Sequence, residues 1–183
     1  RFESTARYLA RMWKATAVDQ PASALRSAGL SSVYAYRFDW DEEPKVFGLV
    51  DVSRLVGAAH GFEIPFVFGH WDLGPMSDWL FSASNAEGRE WLSARMMSYW
   101  AEFAQRGSPG RGRDGALPEW PRWQPSGAGE FAYLVFDTLA GGGLRIDPRT
   151  ESAPALVAEI AVLEARLDQV AGEARLALAG DAR

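Results

Sequence analysis

The sequence has no cysteine and only two histidines in 183 residues. The first absence excludes disulfides, thiolate nucleophiles and zinc–thiolate centres together, and it leaves the redox compartment open. Long apolar runs are missing as well: no window approaches the roughly 18 uncharged apolar residues of a membrane-spanning helix, so no span is expected. There is no long basic run and the net charge is −5, so the electrostatic footprint of a nucleic-acid binder is absent. Arg1 to Lys14 alternates charged and apolar residues where a secretory leader would carry a short apolar core, and no signal peptide is visible.

Aromatic residues are plentiful, with eight Trp, and the length suits one domain with a sizeable core. An apolar or neutral small-molecule partner fits this balance. The chain is organised around Gly57-Ala58-Ala59-His60-Gly61-Phe62-Glu63-Ile64-Pro65-Phe66-Val67-Phe68-Gly69. Glycine and alanine let the backbone turn sharply at His60, and the Phe, Ile and Val that follow must be buried. An imidazole at the edge of a core suits a general base, since it titrates near an ordinary value of about 6.5. On composition alone a hydrogen-bonded structural histidine is the plainer reading.

The wider pattern changes that weighting. Gly57 to Gly69 resembles the histidine motif of the type-B carboxylesterase and cholinesterase family, Gly-Ala-x-His-Gly-x-Glu-Ile-x-Phe-Val-Phe-Gly, at every fixed position. Val33-Tyr34-Ala35-Tyr36-Arg37-Phe38 resembles the strand before that histidine and Met97-Ser98-Tyr99-Trp100-Ala101-Glu102-Phe103-Ala104 the helix after it. Gly107-Ser108-Pro109-Gly110 and Trp120-Pro121 continue the series, and the resemblance covers about Tyr8 to Arg149. It implies an α/β-hydrolase fold, of which this stretch is the C-terminal part: residues 1–183 form the end of one domain, with 151–179 a C-terminal amphipathic helix. The Arg1 start points the same way, toward a piece of a longer chain.

Element by element, Phe2 to Ala17 reads as an amphipathic helix carrying Leu9, Met12 and Trp13, broken by Asp19-Gln20-Pro21, with a short turn from Pro21 to Leu25 that Gly29 ends. Val33 to Phe38 reads as a strand. Asp39, Asp41, Glu42 and Glu43 lack the spacing of a calcium loop and read as a solvated acidic turn, followed by a surface loop from Val46 to Leu55. Ile64 to Phe68 fits the first turn of a buried helix. Ser84-Asn85-Ala86-Glu87 has the form of a capping box ahead of a helix striped by Leu92, Met96, Tyr99, Trp100 and Phe103, which Gly107 and Pro109 stop. Phe131 to Asp137 and Gly143 to Ile146 read as strands. Pro154 to Leu178 reads as a long helix with Leu156, Ile160, Leu163, Leu167 and Val170 on one face, docked back on the domain or forming a homodimer.

A serine esterase needs a nucleophilic hydroxyl, a base, a carboxylate that orients the base, and N–H groups for the oxyanion. Only the base is here. No Gly-x-Ser-x-Gly occurs, for Gly107-Ser108-Pro109-Gly110 has the wrong spacing, and no glycine-rich oxyanion motif occurs either. In α/β-hydrolases the chain order is serine, acid, histidine, so a C-terminal part contains the histidine alone. The resemblance therefore implies hydrolysis of small carboxylic esters through a serine acyl-enzyme. His60 is the base, Phe62 a substrate contact, Glu63 a bracing carboxylate behind the site, and the serine and acid lie upstream or on a separate chain. His70 lies outside the motif. No metal or organic cofactor is implied. The alternative of another class is a cholinesterase-like domain that has lost catalysis and serves binding or adhesion.

Overall fold

The computed structural model describes residues 2–46, 50–124 and 133–180. The chain divides into two compact units, one of Arg1–Ala24 with Thr150–Arg183 and one of Leu25–Arg149.

In the first unit, α1 (Phe2–Lys14) does not stop where the sequence predicts. It widens into a π-helical turn at Ala15–Asp19, where the Gln20 N–H bonds the Ala15 carbonyl, and continues as α2 (Gln20–Ser27). A proline ring collides with the carbonyl four residues back and offers no N–H. Loosening the turn just before Pro21 relieves that conflict without ending the helix. Gly29, at φ +90°, then ends it as expected, with the Leu30 N–H returning to the Leu25 carbonyl. The expected C-terminal helix is also in this unit and spans Ala153–Gly180. Arg11 of α1 bridges Glu151 and Glu159, the Tyr8 hydroxyl donates to Glu159 at 3.0 Å, and the buried Asp19 carboxylate caps the Glu151 N–H at 2.7 Å. Leu156 is fully buried while Val157, Val162 and Val170 are exposed.

The second unit is a small mixed sheet backed by a long helix. Its strands are β1 (Tyr36–Phe38), a β2–β3 hairpin (Lys45–Val46, Val50–Asp51), β4 (Tyr133–Phe136) and β5 (Arg145–Asp147). The main sheet runs β1-β4-β5, with β1 parallel to β4 through Tyr36↔Leu134 and Phe38↔Phe136, and β4 antiparallel to β5. Every residue of β4 is buried, as its central place requires. Among the described residues the far side of β1 pairs with no strand.

The ladder of β1 is shorter than the Val33 to Phe38 strand predicted. Upstream of it the Val33 carbonyl accepts from the Trp123 N–H at 2.7 Å, and the Ala35 carbonyl from the Trp120 indole and the Leu134 N–H. Residues Phe131 and Ala132 of the second predicted strand lie outside the described residues. In place of the predicted loop from Val46 to Leu55, β2 and β3 pair antiparallel, in the register Lys45↔Asp51 and Val46↔Val50, and α3 (Val52–Leu55) follows. The acidic turn is solvated only in part: Asp41 is exposed, but the other three carboxylates are drawn in. Glu43 is only 6% exposed, Glu42 accepts the Thr138 hydroxyl, and Asp39 is held by two arginines.

Two short helices, α4 (Glu63–Phe68) and α5 (Ser77–Leu80), lead to the long α6 (Ala86–Arg106). Its predicted stripe holds over its first three members: Leu92, Met96 and Tyr99 are fully buried and share a core with Trp40, Phe66, Trp120, Leu134 and Phe136, whereas Trp100 is half-buried and Phe103, near the helix end, is exposed. Trp120 packs edge-on against Tyr99 and tilted against Trp100, at 5.4 and 5.3 Å between ring centres. The capping box sits two residues earlier than predicted, on Ser82 and Asn85 around a 3-10 turn. Asn85 wins because its amide reaches beyond the cap, donating at 2.9 Å to the carbonyls of Glu42 and Leu80, while Glu87 is exposed. Among the described residues no helix is long and apolar enough to cross a membrane.

Candidate active site

Of the three residues singled out by sequence, His60 and Phe62 stand on the turn between α3 and α4, and Glu63 is the first residue of α4. Gly57 enters the turn at φ +52° and Gly61 leaves at φ +92°, a value that favours glycine. Gly57 also lacks room for a side chain, since a Cβ there would lie 3.0 Å from the Ser53 carbonyl. The Ala59 N–H closes on the Gly57 carbonyl at 2.7 Å and the Phe62 N–H on the Ala59 carbonyl at 3.1 Å. Between them His60 is exposed, and Phe62 and Glu63 are half-buried. The turn thus lifts an imidazole off a rigid base.

That base is α4, and the predicted burial applies to one of its faces. Phe66 is fully buried against Phe38, Trp40 and Trp71, at ring separations of 5.0 to 5.1 Å, and Pro65 is buried beside it. The buried Ser93 hydroxyl of α6 donates to the Phe66 carbonyl at 2.7 Å. Gly69, at φ +61°, ends the helix against Met97. The other face is open, with Ile64 and Phe68 54% and 74% exposed. His70 is exposed beyond the cap, its N–H on the Pro65 carbonyl at 3.0 Å, and it is not brought onto the His60 turn. Among the described residues no group of three or more acidic or histidine side chains is placed to hold a metal.

One carboxylate oxygen of Glu63 accepts the Gly61 N–H at 2.9 Å, which closes the turn from its helical side. Burial, with the nearby Glu63 charge, pushes the Tyr36 phenol up to about 12, so it stays a donor at any working pH.

Beyond the carboxyl ends of β1 and β4 lies an open cleft of about 460 Å³, lined by Asp39, Asp41, Ser53, Gly57, Ala58, Asp137, Gly141 and Arg145. It adjoins the His60 turn through Gly57 and Ala58. An ion-pair network floors it: Arg37 forks onto Asp39 with two bonds of 2.7 Å and also reaches Asp147, while Arg145 joins Asp39 at 2.7 Å to Asp137 at 3.0 Å. Arg149, then Arg37, hold the Asp147 carboxyl well below the usual carboxylate range, whereas burial raises that of Asp137 against the pull of Arg145. A separate aromatic pocket of about 150 Å³ lies among Tyr34, Tyr36, Tyr99, Trp100, Phe103 and Trp120.

Comparison with known proteins agrees with the motif. Residues 4–138 match the model of a family described as the carboxylesterase family. The chain is 38% identical over 114 residues to an acetylcholinesterase of Gallus gallus, a stretch covering 62% of this chain and 13% of that protein. It is 40% identical over 115 residues to carboxylesterase 4A of Bos taurus, covering 62% and 17%, and 35% identical over 101 residues to an acylcarnitine hydrolase of Rattus norvegicus, covering 55% and 16%. The chain therefore spans only a small part of the length of the curated relatives it matches.

Proposed function

Because the chain belongs to the carboxylesterase family, we propose that it acts as the C-terminal part of a serine ester hydrolase in which His60 is the general base. The family carries the α/β-hydrolase fold, and helices around a small mixed sheet are what a part of that fold contains. The observation that carries the proposal is the His60 turn, an exposed imidazole set between two glycines of positive φ and clamped from below by Glu63.

In this reading a serine outside these residues attacks the ester carbonyl while His60 takes the hydroxyl proton. The tetrahedral intermediate collapses by breaking the bond to the alkoxy oxygen, and the protonated imidazole returns its proton to the departing alcohol. Water then attacks the acyl-enzyme, His60 removes a proton from it, and the carboxylic acid leaves as the serine regains its hydrogen. Phe62, two positions along the same turn, contributes an apolar contact to the substrate. The segment that supplies serine and acid extends the sheet at the free side of β1 and covers Ile64 and Phe68, since unpaired strand edges and exposed aromatic faces are poorly tolerated in water.

Hydrolysis of a p-nitrophenyl ester by the intact parent chain tests the proposal. His60→Ala, at matched folding by circular dichroism, is expected to lower kcat by about a thousandfold or more, the scale for loss of a triad member. A rate within a few fold of wild type refutes the assignment of His60, and an inactive wild type turns the reading toward a binding domain.

A further inference from the structure

The aromatic pocket stands apart from the acidic cleft. It lies at the start of β1, where Tyr34 and Tyr36 face the last turns of α6, whereas the cleft opens beyond the other end of that strand, and the two share no lining residue. Its walls are rings held edge to face. Tyr34 meets Phe103 at 6.0 Å, Tyr36 meets Trp100 at 5.1 Å and Trp120 meets Tyr99 at 5.4 Å between centres, with interplanar angles of 76°, 76° and 90°. Such a cage offers an incoming ring both electron-rich faces and electron-poor edges. No charged side chain lines it. Three of its polar tips are already taken, for the Tyr34 hydroxyl donates to Ser108 Oγ at 3.0 Å, the Tyr99 hydroxyl to the Pro118 carbonyl, and the Trp120 indole N–H to the Ala35 carbonyl at 3.1 Å. A charged ligand would lose its water there and find no opposite charge in return.

We propose that this pocket is a second small-molecule site, which takes one neutral aromatic ring. Size sets the ligand class: the pocket holds about 150 Å³, and an apolar cavity of about that volume accommodates a single benzene ring, whereas drug-sized ligands need about 300 Å³ or more. The site is shaped before the ligand arrives. β1 is paired with β4, α6 is a long helix and Trp120 is pinned by its N–H, so little ordering is left to oppose binding. Phe103, 46% exposed, forms the rim. A ring seated behind it removes its own apolar surface and that of the walls from water together. The inference goes beyond the esterase reading and does not depend on it. An aromatic side chain from elsewhere in the parent protein has the same chemistry as a free ring, and the experiment separates the two.

Fluorobenzene is the probe, a single ring whose fluorine line is followed by NMR. With the intact parent chain the line is expected to broaden and shift saturably, with a Kd on the order of 1 mM, a scale within reach of so small a ligand. Phe103→Ala, at an exposed helix position, removes one wall and is expected to weaken binding about tenfold, and Phe103→Leu, which keeps apolar bulk but no ring, about threefold. Phe68→Ala, which removes an exposed ring outside the pocket, is expected to leave Kd within about twofold, as is His60→Ala. Absence of saturable binding to the parent chain, folded by circular dichroism, overturns the proposal, and is the result expected if a side chain of the parent protein fills the pocket. Equal weakening by Phe68→Ala and Phe103→Ala overturns it too, since it marks adsorption to any exposed ring. So does an unchanged Kd in both folded Phe103 variants, or loss of binding in His60→Ala, which would put the ring at the ester site. Whether the parent chain hydrolyses an ester has no bearing on these readouts.

Discussion

Replacing Glu43 by glutamine should remove a loss of stability that the wild-type chain suffers as pH rises from acid to alkaline. Glu43 is 6% exposed, and neither carboxylate oxygen has a side-chain partner among the described residues. Burial raises its carboxyl from the ordinary 4.5 to about 7; its own main-chain N–H opposes the rise, and the charges of Asp41 and Asp51 add to it. The folded state thus holds this proton more tightly than the unfolded one. The stability that the proton supplies is fully present below about pH 4.5 and is lost as pH rises through 7. At about 1.36 kcal/mol per pH unit the loss amounts to roughly 3 kcal/mol by pH 8.

A glutamine carries its own cost, since a buried amide without partners costs about 1–3 kcal/mol, but that cost does not vary with pH. The informative quantity is therefore the change in the difference between the two proteins. Urea unfolding of the intact chain, followed by circular dichroism at pH 4.5 and at pH 8, should show wild type losing about 2–3 kcal/mol relative to Glu43→Gln across that interval. Parallel pH dependence in the two proteins would refute the reasoning, because it would mean that Glu43 is hydrated in the folded state or equally protonated in both.

Two more expectations follow from the ion-pair floor and from the turn. Asp147→Asn should destabilise the chain by about 2 kcal/mol at pH 7, a figure kept below that of a fully buried pair because Arg149 is largely exposed. As the Asp147 carboxyl is depressed, its contribution is present above its ordinary 3.8 and is lost as pH falls, so thermal unfolding of wild type and variant should converge in strong acid. Gly61→Ala has space for its methyl group but not the backbone for it, and should lower stability by about 1–2 kcal/mol. Gly61→Asn should lower it less, and equal losses in calorimetry would argue against strain at this position.

What could be read in advance was local. The stripe from Leu92 to Phe103 shows its helix because its spacing is intrinsic to the segment, and the small residues around His60 show a turn for the same reason. The buried run of β4 was legible too, as was the stop at Gly29. What failed was set at a distance. Nothing near Ser84 reveals that the carbonyls of Glu42 and Leu80 await the Asn85 amide, and the acidic turn looks solvated until Thr138 and Arg145, about a hundred residues on, are seen to meet it. Pro21 misled in the opposite sense, since a stop signal in a peptide became a widened turn where the rest of the unit held the helix in place. The parallel pairing of β1 with β4 belongs with these cases, since it joins residues about a hundred apart, such as Tyr36 and Leu134.

That pairing has a consequence for how the chain is made. Asp39, at the end of β1, and Arg145, at the start of β5, stand 106 residues apart, and all of α6 must lie between them before the sheet can close. At about 5–20 residues per second, a ribosome takes on the order of 5–20 s to deliver β4 after β1 has emerged. Through that interval the edge of β1 that β4 will occupy stays open, and closing a loop of such length carries an entropic penalty that local contacts cannot offset. Synthesis of this protein therefore passes through a sticky nascent state lasting seconds, and slower translation between β1 and β4 should increase its demand for a chaperone.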